Sequence, residues 1–169
     1  MDIQHLAVHM AQHAVAIRAL LQGITDPQAR SHPDLASWSV IEVLNHLLDE
    51  EREDFKVRID YTLHRPGEAW PETHPQGWVT ERRYNERDLV ESLEGFLKER
   101  ELSLSWLRGL APADWEASHL APWGPITAGD LLAAWVAHDI LHLRQLVELR
   151  WALIKEELEP RSVEYAGQW

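Results

Sequence analysis

The chain has 169 residues, no cysteine and a net charge of −12 at pH 7 with neutral histidines. The length suits one domain, predicted to span residues 1–169, and the absence of cysteine excludes disulfides, thiolate metal ligands and a cysteine nucleophile. The negative charge repels phosphate groups, so we expect neither nucleic acid nor a membrane surface as a partner. Because no apolar run approaches about twenty residues and no N-terminal signal pattern is present, we expect a cytoplasmic protein.

Two long helices are predicted in the first part of the chain. The first runs from Asp2 to Leu21, where apolar residues keep helical spacing and Gly23 supplies a stop. The second starts at Ser39, because Ser39 and Glu42 form an S-x-x-E capping box, and it reaches the region of Leu63.

A long irregular stretch, from Arg65 to Tyr84, separates these helices from a third one. Its prolines, glycines and tryptophans follow no clean period, and a loop of this length is typical of a functional lid, a pocket wall or an interface. Asn85 and Asp88 can cap the third helix, and Ala111-Pro112 ends it.

The fourth helix is predicted after a second break at residues 122–125. Thr127 and Asp130 cap it, and it reaches about Leu158, before Pro160. No stretch shows strand alternation of any length. Four long amphipathic helices joined by loops predict an all-α four-helix bundle.

Two histidines of the fourth helix, His138 and His142, lie four residues apart and therefore share one helix face. A helical wheel places them on the apolar face of this helix, with Leu131, Trp135, Leu146 and Leu149. Buried imidazole nitrogens need partners. The pair is therefore either two hydrogen-bonded core histidines or part of a metal site with an open position.

The other histidines fit simpler interpretations. His5, His9 and His13 repeat the i, i+4 spacing on the first helix, but they drift away from its apolar stripe and are interpreted as a solvated flank. His46 falls nearly opposite the apolar stripe of the second helix, so periodicity places it in solvent, although it could line a groove between helices. Four more are interpreted as surface or turn residues: His32, His64, His74 and His119.

Two motifs resemble those of the DinB-like superfamily. One is W-S-x-x-E-x-L-x-H-L, which begins at Trp38; the other is W-G-P-I-T from Trp123, followed by H-D-x-x-H-x-x-Q from His138. The resemblance covers essentially the whole chain. It implies an up-down-down-up four-helix bundle that holds a divalent metal ion with three histidines. In this sequence the implied ligands are His46, His138 and His142.

The resemblance also implies a range of chemistry. Three imidazole ligands suit several metals, and zinc or nickel is the expected cofactor. Members of the superfamily include thiol S-transferases that use low-molecular-weight thiols such as bacillithiol or mycothiol, and this reaction is our first expectation, with a small-molecule thiol and an electrophile as partners. The alternatives are a metal-dependent hydrolase and a non-catalytic, stress-associated metal-binding protein. The apolar content is compatible with a homodimer.

Several residues near the implied ligands are candidates for supporting roles. Glu50 lies one helical turn after His46 and is the candidate catalytic base; the alternative is a solvated carboxylate on the helix flank. Asp139 and Gln145 are candidates for orienting the ligands, although the wheel places Asp139 away from the face of His138. The tryptophans Trp38 and Trp135 are interpreted as pocket walls or as ordinary core residues.

Overall fold

The computed structural model describes residues 2–34, 36–110 and 112–167. Within these ranges the helices are α1 (Ile3–Leu21), α2 (Asp26–Arg30), α3 (Val40–Glu53), α4 (Phe55–His64), α5 (Pro75–Glu81), α6 (Leu89–Gly109) and α7 (Ala128–Glu157). The strands β1 (Ser118–Ala121) and β2 (Gly124–Thr127) form a hairpin before α7, and short 3-10 turns occupy Tyr84–Glu86 and Glu164–Ala166.

The long helices form an up-down-down-up four-helix bundle, in which α3 and α4 together make the second helix. One apolar cluster joins the C-terminal halves of α1 and α7 to the N-terminal halves of α3 and α6. A second cluster joins the N-terminal halves of α1 and α7 to α4 and the C-terminal half of α6. Helices α1 and α7 therefore run in one direction, and α3–α4 and α6 run in the other, as predicted.

The predicted helix starts are confirmed by their caps. The side chain of Ser39 accepts a hydrogen bond from the backbone of Glu42, whose carboxylate accepts one from the backbone of Ser39. The same reciprocal pair joins Thr127 and Asp130 at the start of α7. Each box supplies partners to backbone N–H groups that the first helical turn leaves unpaired. The end predicted for the third helix at Ala111 lies outside the described residues.

The second helix is interrupted at Asp54, which the sequence did not predict. This residue leaves the helical conformation, with φ −117° and ψ −92°. Its carboxylate pairs with Arg58 at 2.7 Å and accepts a hydrogen bond from Thr73 at 2.9 Å. The interruption thus coincides with the point at which the irregular stretch is attached to the bundle.

The hairpin corrects the expectation that the chain contains no strands. Ala121 pairs with Gly124 across a two-residue turn, and Gly124 has a φ of +127°, a conformation that favours glycine. Strands of four residues are too short for alternation to be recognised, and the prolines of residues 122–125 indicated only a break. The described residues contain no helix long and apolar enough to cross a membrane.

A buried ionic network lies between the two apolar clusters. Arg100 of α6 binds Glu51 of α3 and Asp139 of α7, each through a nitrogen–oxygen contact of 2.8 Å. Asp139 also contacts Nδ1 of His13 at 3.1 Å. The expectation that His13 belongs to a solvated flank is therefore wrong, because this histidine turns into the bundle to meet a buried carboxylate.

Candidate metal centre

Three histidines from two helices converge at one point in the bundle. Nε2 of His138 lies 3.4 Å from Nε2 of His46 and 3.1 Å from Nε2 of His142. Helix α3 supplies His46, and one face of α7 supplies the other two. Among residues 2–34, 36–110 and 112–167, no other group of three or more histidine or acidic side chains converges in this way.

His46 is buried, although periodicity alone placed it in solvent. Helix α3 contacts α6 and α7 within the bundle and also α5 and the turn at Tyr84–Glu86 on its outer side. Twelve of its fourteen residues are consequently buried. A helix that is covered on all sides has no solvent face for a wheel to identify. The family resemblance implied that His46 joins the other two histidines, whereas the helical wheel placed it in solvent.

The three imidazoles are in the neutral form that binds metals. Burial, followed by the neighbouring His142 and His138, lowers the pKa of His46 to about 3. Burial and His142 lower the pKa of His138 to about 4, and burial also lowers the pKa of His142. All three side chains therefore offer lone pairs at neutral pH in the metal-free protein.

The geometry of these nitrogens fits a divalent ion. Ligands about 2.0–2.1 Å from a tetrahedral ion lie roughly 3.3 Å apart, close to the observed Nε2 separations. The side-chain oxygen of Gln145 lies 2.8 Å from Nδ1 of His142, so a proton on that nitrogen leaves Nε2 free for the ion. Nδ1 of His46 is buried and makes no hydrogen bond of normal geometry. The backbone of Pro75 lies close enough to raise the pKa of His46, but burial lowers this pKa by more.

Glu50 lies beside the three histidines and is buried with them. Its carboxylate oxygens are 3.9 Å from Nε2 of His46 and 4.0 Å from Nε2 of His138. Burial, assisted by the charge of Asp54, raises the pKa of Glu50 to about 8 in the metal-free protein, and Arg58 acts in the opposite direction. With its side chain 9% exposed, Glu50 is not the solvated flank residue that the alternative interpretation proposed.

A cavity of about 600 Å³ opens above the histidines and gives small molecules access to them. The ring of Trp38 forms one wall, 4.9 Å from the ring of His46 and parallel to that of His142. Trp135, the other suggested wall residue, is instead a core residue that stacks on Phe55 and donates a hydrogen bond to Glu51.

The irregular stretch supplies the opposite wall, which no motif had identified residue by residue. Thr73, His74, Pro75 and Gln76 line the cavity, together with Leu141 and Gln145 of α7. The length of the stretch was its only signal, and a pocket wall was one of its predicted roles. Among the described residues that line the cavity, none is Arg or Lys. Arg144, the nearest cation in sequence to His142, is 77% exposed and pairs with Glu148.

The remaining predicted residue, Asp139, does not enter the cavity. Its carboxylate lies in the ionic network with Arg100 and His13. Burial opposes ionisation of Asp139, but the hydrogen bonds from Arg100 and His13 outweigh it and hold the pKa of the carboxyl below its usual value. Asp139 thus anchors the segment of α7 that carries His138.

Comparisons with known proteins identify relatives of the same fold. The family model of the DinB superfamily matches residues 9–146. A solved structure, that of YfiT from Bacillus subtilis, is similar with a TM-score of 0.79 and 18% identity, over 90% of this chain and 87% of that one. It is described as "a probable metal-dependent hydrolase with an unusual four-helix bundle topology". A search of curated proteins found no match.

Proposed function

The chain belongs to the DinB superfamily, and on that basis we propose that it is a metal-dependent enzyme that activates a small nucleophile. The observation that carries this proposal is the convergence of three neutral imidazole nitrogens beside a buried carboxylate, under an open cavity. His46, His138 and His142 would hold the ion. When bound by three uncharged ligands, a divalent ion supplies a Lewis acid that lowers the pKa of a thiol or of water.

Glu50 acts as the base in this proposal. It lines the cavity and lies within 4.0 Å of two of the three ligand nitrogens, close enough to reach a nucleophile placed there. Its carboxylate accepts the proton that the nucleophile releases. Trp38 and Leu141 provide apolar surface beside the same space.

Thiol S-transfer is our first candidate reaction. The sulfur of the thiol attacks an electrophilic carbon and forms a carbon–sulfur bond; the leaving group departs with the electrons of its own bond to that carbon, and Glu50 receives the thiol proton. The sulfur must come from a substrate because the chain has no cysteine. A cavity of about 600 Å³ has room for a small thiol and part of an electrophile.

The cavity lining narrows the class of thiol. Thr73, Gln76 and Gln145 offer hydroxyl and amide groups to a ligand in the cavity. A low-molecular-weight thiol that carries hydroxyl and amide groups, such as bacillithiol or mycothiol, fits this lining.

Hydrolysis is the second candidate, supported by the description of the similar YfiT structure. Water then replaces the thiol: its oxygen attacks an electrophilic carbon and forms a carbon–oxygen bond, and Glu50 accepts one of its protons. The leaving group departs with the electrons of its own bond to that carbon and takes up that proton.

Turnover by the metal-loaded protein tests these candidates. With mycothiol, bacillithiol and glutathione offered in turn with an alkyl halide, we expect thiol conjugation that needs both metal and thiol. Glu50→Gln should lower kcat by about 100-fold or more. Glu53→Gln, which alters an exposed carboxylate on the same helix, is the matched control.

A cobalt-substituted sample provides a readout that does not depend on turnover. Addition of the thiol should produce a sulfur-to-cobalt charge-transfer band in the near ultraviolet. Ester or amide hydrolysis without thiol, and without this band, would instead support the second candidate. Absence of both activities with an inaccessible metal would support a non-catalytic metal-binding protein.

A further inference from the structure

A second cavity adjoins the metal cavity and has a different lining. We call it the aromatic groove and define it by Trp70, His119, Leu120 and Trp123, with Arg58 at its base. Its volume is about 640 Å³. Thr73 lines both cavities, so the aromatic groove and the metal cavity are neighbours on this residue.

The aromatic groove is built from stacked rings. The ring of Trp70 lies 4.2 Å from that of His119 and nearly parallel to it, and the guanidinium of Arg58 lies 4.9 Å from the ring centre of Trp70. Trp123 stands 6.3 Å from Trp70 at an angle of 51°. Aromatic surfaces set at an angle in this way suit a flat apolar group.

The charge at the base of the groove is already neutralised. Arg58 pairs with Asp54 at 2.7 Å and donates a hydrogen bond to Thr73, which in turn donates one to Asp54. The cation is therefore engaged within the protein. The other charged residue of the lining is Glu72, which repels anions. The groove accordingly disfavours anions, and its rings and apolar side chains suit an uncharged ligand.

Two large apolar side chains on the hairpin are left in solvent. Leu120 is 79% exposed and Trp123 is 68% exposed, although Trp70 and His119 beside them are partly buried. A contiguous exposed apolar surface next to a cavity is a common mark of a ligand site. A ligand in the groove would cover both side chains.

We propose that the aromatic groove binds an uncharged aromatic group of the electrophilic substrate, whose reactive carbon reaches the metal cavity past Thr73. This inference rests on the proposed function for the identity of the ligand. For its location it rests on the lining and charge of the groove and on its position next to the metal cavity at Thr73. In this proposal, residues of the hairpin and of the irregular stretch select the substrate, and the histidines do not.

A binding experiment tests the groove independently of catalysis. The uncharged fluorescent probe N-phenyl-1-naphthylamine is titrated into metal-loaded and metal-stripped protein, and we expect similar binding to both. The double variant Leu120→Ser/Trp123→Ser should bind it about tenfold more weakly, since two apolar contact surfaces are removed. The matched control is Leu102→Ser/Tyr165→Ser, which alters exposed apolar residues away from the groove.

A kinetic experiment then tests the ligand. For a benzyl and a methyl electrophile with the same leaving group, the groove variant should lose about tenfold in kcat/KM for the benzyl substrate only. Equal losses for both substrates, or unchanged probe binding in the groove variant, would overturn the inference. If no electrophile is turned over but the variant weakens probe binding, the proposed reaction fails while the groove remains a binding site for aromatic groups.

Discussion

Glu50 is the residue at which burial acts most directly on the chemistry of the site. In the metal-free protein its pKa is raised to about 8, chiefly because burial disfavours the charged carboxylate. An ion held by the three histidines would oppose this effect by attracting the charge. The same residue thus lowers the stability of the metal-free protein and, in the proposed function, acts as the base.

The raised pKa of Glu50 predicts that the stability of the metal-free protein depends on pH. The pKa of Glu50 is higher in the folded state than its ordinary value of 4.5. The folded protein therefore holds a proton that the unfolded chain has lost between about pH 4.5 and 8, so stability contributed by Glu50 falls as the pH rises through this window. Relative to metal-free wild type, the stability that Glu50→Gln gains should be roughly 3–4 kcal/mol larger at pH 8 than at pH 5.

Urea unfolding of chelator-treated protein at pH 5 and pH 8 measures this difference. The histidines of the site titrate in both proteins, so their contribution largely cancels in the comparison. Glu53→Gln, at an exposed position of the same helix, should show no comparable change. A Glu50→Gln effect of the same size at both pH values would mean that the folded state does not perturb this carboxyl.

The sequence identified some of these residues by physics and others by resemblance alone. The spacing of His138 and His142 on an apolar face predicted either a hydrogen-bonded core pair or part of a metal site. The spacing of His46 on α3 did not identify it, because α5 covers the outer side of α3. This short helix lies in the irregular stretch, whose residues show no helical periodicity. The prediction that His13 faces solvent was wrong for a related reason. Its partner, Asp139, lies on another helix, and the apolar pattern of one helix does not show pairs between helices.

At the scale of elements, the wall of the metal cavity depends on how the irregular stretch is fastened to α3. Asp49, buried on α3, accepts hydrogen bonds of 2.7 Å from the hydroxyl of Tyr84 and from Arg82. The guanidinium of Arg82 also covers the ring of Trp78, 4.0 Å from its centre. This attachment holds α5 and the cavity residues before it against the bundle.

Asp49→Ala should therefore loosen the stretch. It leaves the buried hydroxyl of Tyr84 without its acceptor, and we expect a loss of about 2–3 kcal/mol in the free energy of unfolding. Trypsin cleavage after Arg82 and Arg83, followed by mass spectrometry, should become about tenfold faster because local opening is easier. Glu53→Ala removes only an exposed partner of Arg82 and should have little effect. Equal cleavage of both variants would show that Asp49 does not fasten the stretch.

The sequence predicted the long helices well because their signals are local. Capping boxes at Ser39 and Thr127 and long apolar stripes specify where α3 and α7 begin. The hairpin and the short helix α5 were missed because each is only a few residues long and is held by contacts with distant residues. Likewise, at the interruption Asp54 contacts Thr73, nineteen residues away in the chain.

At the scale of the whole molecule, the bundle is held together by apolar clusters at both ends and by an ionic network between them. Arg100 is 2% exposed and binds carboxylates from two other helices. Burial alone would lower the pKa of Arg100, but Glu51 and Asp139 outweigh it and the pKa is raised. The network thus joins α3, α6 and α7 at the level of the metal centre.

Removal of the cation should be costly. Arg100→Ala leaves two buried carboxylates without their partner, and we expect a loss of about 3–5 kcal/mol in the free energy of unfolding. Arg144→Ala, which breaks an exposed pair with Glu148, should cost less than about 1 kcal/mol. Chemical denaturation of both variants makes the comparison, and similar small losses would show that the network contributes nothing specific to the bundle.

The central claim, that three histidines form one metal centre, is tested most directly by the metal content of the protein. After reconstitution with zinc or nickel and removal of free ions, elemental analysis should find close to one ion per chain. His46→Ala and His138→Ala should each lose most of it, whereas His5→Ala/His9→Ala, which alters an exposed histidine pair with the same helical spacing, should retain it. Wild-type protein that holds no ion after reconstitution, or that loses it only through the changes in α1, would contradict the claim.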